Sequence, residues 1–592
     1  MTMKLVVVGG GITGLAAAHR AVEIARARAL PLELTLIEAR DRLGGTIATE
    51  RIDGFVVEAG PDSFLSEKPW ALALCGRLGL EERLIRTDDR FRKVFVWFRG
   101  RLHPLPDGFQ LLAPTRLGPF FASSLFSWPG KLRMTLDLVL PRGADDDESL
   151  GSFVRRRLGR QALDRVAQPL VAGIYTADPE ELSLRATMPR FPELEKRERS
   201  VILGLMRAAR AAPQPGTSGA RWSLFVTLAG GMEEMVSALA ARLPAPSVVL
   251  KQRVIGLQRM GGGWCVTTVE GSVFDADRVI LASESHVASR LLRYVDPSLS
   301  MLLGEISYAS AATVTLGYRR ADIPHPLDGF GVVVPRTEGR ALLATTFSSV
   351  KYPGRAPDGH VLLRGFVGGA LNAGILQEDD ASLVTRVREE LREMLGITAA
   401  PVLARVARWP ASMPQYHVGH LTRAGMILHE LGGRWFVTQT VGSPQLWPRL
   451  LELLGRPELD KDPRFATPML RRTNWPDLRA IIREFLNRFE SVDAALKTLT
   501  AARIPCAPVL SPGDVIEHPH MAERGYFAEI PHPARGIVRV NASPYHLDGE
   551  QVRPAGAAPY RPGEHTRAVL TDVLGYSGGK LDELTSARAI GV

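Results

Sequence analysis

Gly9, Gly11 and Gly14 follow the apolar run Leu5–Val8 at the spacing G-x-G-x-x-G, and Glu38 closes a second apolar run, Leu32–Ile37. Together these residue types suit the grip of a nucleotide diphosphate. A glycine at position 9 lets the chain turn tightly, Gly11 lets backbone N–H groups approach a pyrophosphate, and Gly14 lets a helix pack close to its strand. Gly10, Ile12 and Thr13 complete the turn and begin the helix, whose N-terminus supplies partial positive charge. Glu38 is placed to accept hydrogen bonds from a ribose 2′-hydroxyl, and a carboxylate there disfavours a 2′-phosphate. A lone glycine pattern is often a mere turn. Strand, glycines, helix and acid in this order raise it to a dinucleotide site.

The elements that must position these residues are a β-α-β unit, with strands over Leu5–Val8 and Leu32–Ile37. After Glu38 and Ala39 the chain reads Arg40-Asp41-Arg42-Leu43-Gly44-Gly45-Thr46, a second glycine turn that a nicotinamide dehydrogenase does not need. This stretch resembles the second motif of the flavin amine oxidase superfamily. The resemblance implies Ala39, Arg42, Gly44, Gly45 and Thr46 as cofactor contacts. The segment Phe55–Ser63 is similar to the next cofactor-contacting loop of those proteins, adding Gly60, Pro61, Asp62 and Ser63. FAD is the cofactor implied.

Further motifs narrow the resemblance. They are Gly100–Pro106, Gln168–Tyr175 followed by Asp178–Ser183, Phe225–Met232, and Arg408–Tyr416 with Gly419-His420. In this order, over about residues 3–421, they resemble the protoporphyrinogen oxidase family, including its coproporphyrinogen-oxidising branch. That likeness implies stepwise dehydrogenation of a porphyrinogen, with hydride passing to flavin and O2 reoxidising it to give hydrogen peroxide. It also implies Val254 beside the adenine, Trp409 beside the cofactor, and Gly173 and Ile174 bordering the substrate ring. Arg92 or Lys93 is the candidate partner for a substrate carboxylate. Solvated surface charges are the other reading of that pair, and a core tryptophan the other reading of Trp409. No catalytic residue is assigned: hydride loss to a flavin needs no base, and His103, His417 and His420 read as structural histidines.

From about residue 426 the pattern changes. Gly433–Val437, Leu446-Trp447, Leu454–Leu459, Asp462–Phe465, Arg472–Asn474, Ile504–Val509, His518–His520 and Pro562–Thr566 resemble the C-terminal part of family III CoA-transferases. The half that normally carries the aspartate nucleophile of that family is missing. So is the last strand, glycine turn and helix that closes the cofactor domain in the oxidases. The junction near 421–432 lacks a Pro/Gly/Ser-rich linker. An accidental join is favoured over a natural fusion, and a catalytically incomplete hybrid is the alternative to a working oxidase.

The expected fold is therefore α/β and α+β. A Rossmann-like FAD-binding domain takes residues 1–90 and 222–300, a helical substrate or membrane-type domain 91–221, an antiparallel-sheet substrate domain 301–421, and an α/β CoA-transferase-like fragment 426–592. Strands are expected at 250–255, 277–283, 312–318 and 361–367, and helices near 150–158, 444–455 and 475–499.

At 592 residues, 45% hydrophobic and 23% charged, the chain has the composition of an ordinary globular protein with room for several domains. The formal charge of +10 suits an anionic partner, but mixed-sign runs such as Glu195–Arg199 read as solvated helix faces. No nucleic-acid motif is present. Cys75, Cys265 and Cys506 lack metal-ligand spacing, no metal is expected, and free thiols fit a reducing compartment. With no leader pattern before the first strand and no long apolar run, a cytoplasmic location is expected. The apolar stretch Pro119–Trp128 suits a core, a substrate cavity or a peripheral membrane contact, the first two being favoured. Oligomeric state is left open.

Overall fold

A computed structural model describes residues 2–143, 147–211, 225–430, 436–438, 446–486, 488–489, 492–504, 506–508, 518–533, 536–542, 546–547, 550–551, 565–587 and 590. The chain divides into two units, Met1–Ile427 and Leu428–Val592.

The first unit begins with the expected β-α-β. Strand β1 (Met3–Val8), helix α1 (Ile12–Ala27) and strand β2 (Leu32–Ile37) are consecutive. Apolar residues on both faces of β1 leave Val7 fully buried, as is usual for a parallel strand covered on both sides. The sheet is parallel, in the order Val248–Val249, β2, β1, Arg278–Leu281. Its carboxyl edge brings Val8, Ile37 and Leu281 level, the place where open α/β sheets bind ligands. Among the described residues no strand stands outside Arg278–Leu281, and Val279, Ile280 and Leu281 are only half-buried there.

The expected single strand over 250–255 is instead two strands, ending at Val249 and resuming at Val254. Between them Lys251 takes φ +58° and donates its N–H to Arg40 O, while Gln252 N–H reaches Glu38 O. The chain bends here because it must pass the end of β2. Val254–Met260 then opens a small antiparallel sheet with Gly263–Thr268 and Val273–Ala276.

The helical lobe spans Leu117–Ala211 and packs around Phe120, Phe153, Leu150 and Val166, all fully buried. Its expected start at residue 91 is corrected. Val94–Phe98 and Arg101–Pro104 are strands, and Val94–Val96 pair in parallel with Gly331–Val333. The run Val-Phe-Val-Trp-Phe is built of β-formers, but its partner lies far along the chain. The resulting seven-stranded sheet has the order Leu403–Pro414, Tyr308–Arg319, His360–Gly368, Leu342–Phe347, Gly331–Val333, Val94–Phe98, Arg101–Pro104. Helix Asp380–Leu395 covers one face, its Leu383, Val387 and Leu391 packing on Val314, Leu316 and Leu363. The other face meets the hairpin Thr49–Ile52/Phe55–Glu58 through Leu362, and the helical lobe through Phe366 and Ala344. From this face Thr313 and Arg364 also reach Ala59 O, just after the hairpin.

In the apolar stretch 119–128, Phe120, Leu125 and Phe126 are buried, whereas Trp128 is largely exposed. Core and surface share it.

The second unit has a small core around Trp447, Phe465 and Leu478. The expected helix over 475–499 is two, Trp475–Leu486 and Val492–Ala501. Phe436–Thr438 pairs with Cys506–Pro508, and Phe527–His532 with Gly536–Asn541. Cys506 is half-buried in its strand, as a small residue would be. Of the transferase-like motifs, Gly433–Trp435, Pro505, Val509 and Pro562–Glu564 lie outside the described residues.

Candidate functional site

Beyond the carboxyl edge of the parallel sheet lies a cavity of about 760 Å³. Its walls contain Gly9, Gly11, Ile12, Thr13, Glu38, Ala39, Gly44, Gly45, Thr46 and Val254, ten of the residues picked out from the sequence.

The glycines divide by what a side chain would meet. Gly9 has φ +109°, and a Cβ there would stand 2.7 Å from Ala282 O. On Gly14 a Cβ would come within 1.9 Å of Gly9 O, so this glycine serves close packing of α1 on the turn. Gly10 is enclosed by Leu43 and Glu38 and does not line the cavity. Gly11 differs: it has φ −68°, and the nearest protein atom to its added Cβ would be Gly45 Cα at 4.0 Å. The protein itself leaves that space open, so only an occupant of the cavity would require glycine here.

Helix α1 starts at that point with Gly11 as N-cap, no capping side chain and no acidic residue in the first turn. Its first N–H groups therefore face the cavity without an internal partner, and an anion is the natural complement. Glu38 is buried. Its Oε2 accepts Gly10 N–H at 2.6 Å and its Oε1 accepts Arg40 N–H at 2.8 Å, which holds the carboxylate at the cavity wall with lone pairs to spare. The second glycine turn locks onto the first: Gly44 N–H donates to Gly10 O at 2.9 Å, and Gly44 and Gly45 take φ +101° and +60°.

One expected contact moves by two residues. Arg42 does not line the cavity; its guanidinium donates to the carbonyls of Leu43, Ile47 and Gly45 at 3.1, 3.0 and 2.7 Å and so braces the turn from behind. Arg40 lines the cavity instead, with Arg253 and Arg290. The sequence placed both Arg40 and Arg42 in the same motif, and only the direction in which the turn folds separates them. Ala282 and Ser283 were also missed, although they directly follow the strand Arg278–Leu281, whose end had to lie at the sheet's carboxyl edge.

Gly60, Pro61, Asp62 and Ser63 form a loop beside this cavity and are not among its lining residues. A Cβ on Gly60 would stand 1.8 Å from the carbonyl oxygen of Thr46, which does line it. Trp409 acts on the same loop, donating Nε1–H to Ala59 O at 2.8 Å, with the Arg40 guanidinium 5.9 Å from its ring centre. Asp62 is enclosed. Burial pushes its carboxyl up, but Lys351 at 3.6 Å and Arg364 at 4.0 Å outweigh that and hold it at about 2.

The substrate candidates stand apart from the cavity. Ile174 is half-exposed on helix Gln168–Tyr175, and Gly173 on the same helix would carry its Cβ 3.6 Å from Ala344 Cβ, on the large sheet. Lys93 is exposed and paired with Asp328 at 2.7 Å, next to exposed Arg92. Of the histidines, His103 uses both ring nitrogens, on Ser124 Oγ and Phe98 O, and His417 pairs with Glu181 at 3.3 Å. His420 packs edge-on to Tyr416; burial, then Arg423, lower its pKa. Among the described residues no cluster of metal-ligating side chains is found.

These features fit a long dinucleotide: amides for its phosphates, an acid for its sugar, and a groove with room along its length. The comparisons agree. The flavin containing amine oxidoreductase family matches residues 12–500, a span that runs into the second unit. Coproporphyrinogen III oxidase of Bacillus subtilis is 37% identical over 420 residues, which is 71% of this chain and 88% of that protein. Protoporphyrinogen oxidase 1, chloroplastic, of Arabidopsis thaliana is 33% identical over 71% of this chain and 80% of that one. A crystal structure from Exiguobacterium sp. 255-15, assigned as a protoporphyrinogen oxidase, superposes with a TM-score of 0.65 at 31% identity, covering 73% of this chain and 91% of that one. With its glycine turns, acid and cavity in the expected order, the chain belongs to the flavin-containing amine oxidoreductase family.

Proposed function

We propose that the protein is an FAD-dependent oxidase that dehydrogenates a porphyrinogen, coproporphyrinogen III or protoporphyrinogen IX, to the porphyrin in haem biosynthesis, with O2 as acceptor. The observation that carries this reading is the open side of Gly11 facing a cavity bounded by Glu38, in a chain whose curated relatives include porphyrinogen oxidases. FAD, when bound, accepts a hydride and passes two electrons to O2. Loss of six hydrogens takes three such rounds, with three O2 reduced to three hydrogen peroxide.

The chain's own residues then have separable tasks. The Gly9–Thr13 turn holds the phosphates, and Glu38 holds the ribose. Gly44 to Thr46 and Gly60 to Ser63 border the remaining length of the cofactor. Gly173 and Ile174, on a helix against the large sheet, border the substrate ring, and Arg92 or Lys93 meets a substrate carboxylate. No side chain is assigned a proton-transfer step.

The test is anaerobic. Addition of coproporphyrinogen III or protoporphyrinogen IX to flavin-loaded protein is expected to bleach the visible flavin band, and admission of air to restore it with appearance of porphyrin fluorescence. A band that neither substrate bleaches would contradict the reading.

A peripheral membrane contact is supported by Trp128, Leu132, Leu136 and Val139, exposed at near-helical spacing beside Arg133. Among the described residues no helix is long and apolar enough to cross a membrane. The protein is expected to float with anionic vesicles, and Trp128→Ser with Leu132→Ser to abolish flotation; equal flotation of the variant would remove this face from the account. For Leu428–Val592 the likeness to family III CoA-transferases rests on sequence motifs, and without the aspartate-bearing half no transferase chemistry is proposed for it.

A further inference from the structure

One carbonyl in the loop beside the cavity collects three donors. Ala59 O accepts Trp409 Nε1–H at 2.8 Å, Thr313 Oγ1–H at 3.1 Å and Arg364 Nη2–H at 3.3 Å, and the same Nη2 donates to Gly60 O. A carbonyl has two lone pairs, so its direction is over-determined. The Ala59–Gly60 peptide is trans and planar, which turns the Gly60 N–H away from all three donors. No acceptor for that N–H appears among the described hydrogen bonds.

Arg364 is the one charged member of the three. It comes from the interior strand His360–Gly368, between Leu362 and Phe366, which face the hairpin and the helical lobe. It is 4% exposed, and its Nε has no partner. Around it, Asp62 and Glu58 are set against three cations. Arg364 and Lys351 lie 4.0 and 3.6 Å from Asp62, and Arg355 lies 3.8 Å from Glu58. With all five ionised, the enclosed cluster keeps one positive charge in excess. Such a charge in a low-dielectric setting acts on whatever electrons arrive beside it.

We propose that Arg364 is a positioning residue for the redox centre: it locks the Ala59–Gly60 peptide, so that the Gly60 N–H is a fixed donor toward the cofactor, and its charge stabilises the reduced state. This rests on the FAD reading of the cavity. Trp409 and Thr313 complete the lock, and Asp62 keeps Arg364 from turning away.

The test uses the full chain and the substitutions Arg364→Met, Arg364→Lys, Thr313→Val and Trp409→Phe. Two readouts need no turnover: the midpoint potential of the bound flavin, and hydrogen exchange of the Ala59 amide in flavin-free protein, where it donates to Ala48 O at 2.9 Å. Arg364→Met is expected to shift the potential negative, speed that exchange and weaken FAD binding by about tenfold. Arg364→Lys should restore the potential but not the exchange, because it keeps the charge and loses the fork. Thr313→Val and Trp409→Phe should speed exchange and leave the potential closer to wild type. Wild-type potential and exchange in Arg364→Met would overturn the proposal. Should that variant not fold, unchanged exchange in both Thr313→Val and Trp409→Phe would do so. Wild-type protein that takes up no flavin would instead remove the cofactor reading, while the exchange data still judge the lock.

Discussion

Gly11→Val is expected to give a folded protein that does not hold FAD. A Cβ at this position meets no close neighbour: the nearest atom is Gly45 Cα at 4.0 Å, and φ −68° suits any residue. Replacing glycine at an N-cap costs the helix only about 1 kcal/mol. The flavin-free variant should therefore melt within a few degrees of the flavin-free parent, by roughly the shift such a change produces. The branched side chain projects instead into the space where a pyrophosphate approaches the amides of α1. Loss of that approach, with the contacts it allows, should weaken FAD binding by at least about 100-fold, or about 3 kcal/mol. Gly14→Val is the contrast. Its Cβ would stand 1.9 Å from Gly9 O, so it should lower the melting temperature even without flavin. Visible absorbance and calorimetry of both variants separate the two roles. A Gly11→Val protein that binds FAD as the parent does would show that the cofactor does not pass this point.

The second large effect lies in the helical lobe. Arg157 is fully buried, and its Nε donates to Asp137 Oδ1 at 2.6 Å while its other nitrogens reach the carbonyls of Asp137, Pro141 and Arg199 at 2.8, 2.8 and 2.7 Å. Asp137 Oδ2 accepts Ser200 Oγ–H at 2.6 Å and Ile202 N–H at 2.9 Å. One guanidinium thus ties the helix Leu150–Arg157 to the segment after Thr135 and to the start of Val201–Ala211. Removing one partner of such a pair strands a buried charge, at a cost of about 3–5 kcal/mol. Arg157→Ala should therefore unfold or strongly loosen the lobe, seen as a lower melting temperature and faster hydrogen exchange over Leu150–Ala211. Arg157→Lys should not rescue it, since an ammonium cannot reach four acceptors in one plane. Wild-type exchange in Arg157→Ala would show that the lobe does not depend on this tie.

What could be read from the chain was what is local. Gly9, Gly11, Gly14 and Glu38 are close in sequence, and each has a single physical reason to be where it is. The cavity that Gly9, Gly11 and Glu38 line is where the strand order required it. What could not be read depends on turns and distant partners. The side on which Arg40 rather than Arg42 emerges is decided by the packing of Gly44 and Gly45 on Gly10 and Gly11. The strand Val94–Phe98 reads as a β-run, but its pairing with Gly331–Val333 spans most of the unit. Arg364 sits inside an apolar strand, Val361-Leu362-Leu363, where sequence gives no hint that its partners are the carbonyls of Ala59 and Gly60. The break at Lys251 follows from a bend around the end of β2 that no local signal announces.

The absence of a further strand outside Arg278–Leu281 among the described residues bears on function as well as on fold. That edge adjoins Ala282 and Ser283, which line the cavity. The cavity wall is nevertheless complete on the side of the first glycine turn and Glu38, where most of the named residues lie. Affinity, and not only activity, is therefore the quantity to measure.

The central claim is that a dinucleotide lies along the first glycine turn with its sugar on Glu38. Titration of flavin-free protein with FAD, followed by quenching of flavin fluorescence, tests it most directly, with Glu38→Ala beside the parent. One FAD per chain is predicted, with binding weakened about 100-fold in Glu38→Ala, since the ribose would lose its hydrogen bonds to a charged carboxylate, worth about 1.5–3 kcal/mol each, and the amides of Gly10 and Arg40 that hold that carboxylate at the cavity wall would lose their acceptor. No quenching in the parent, or the same affinity in parent and Glu38→Ala, would contradict it.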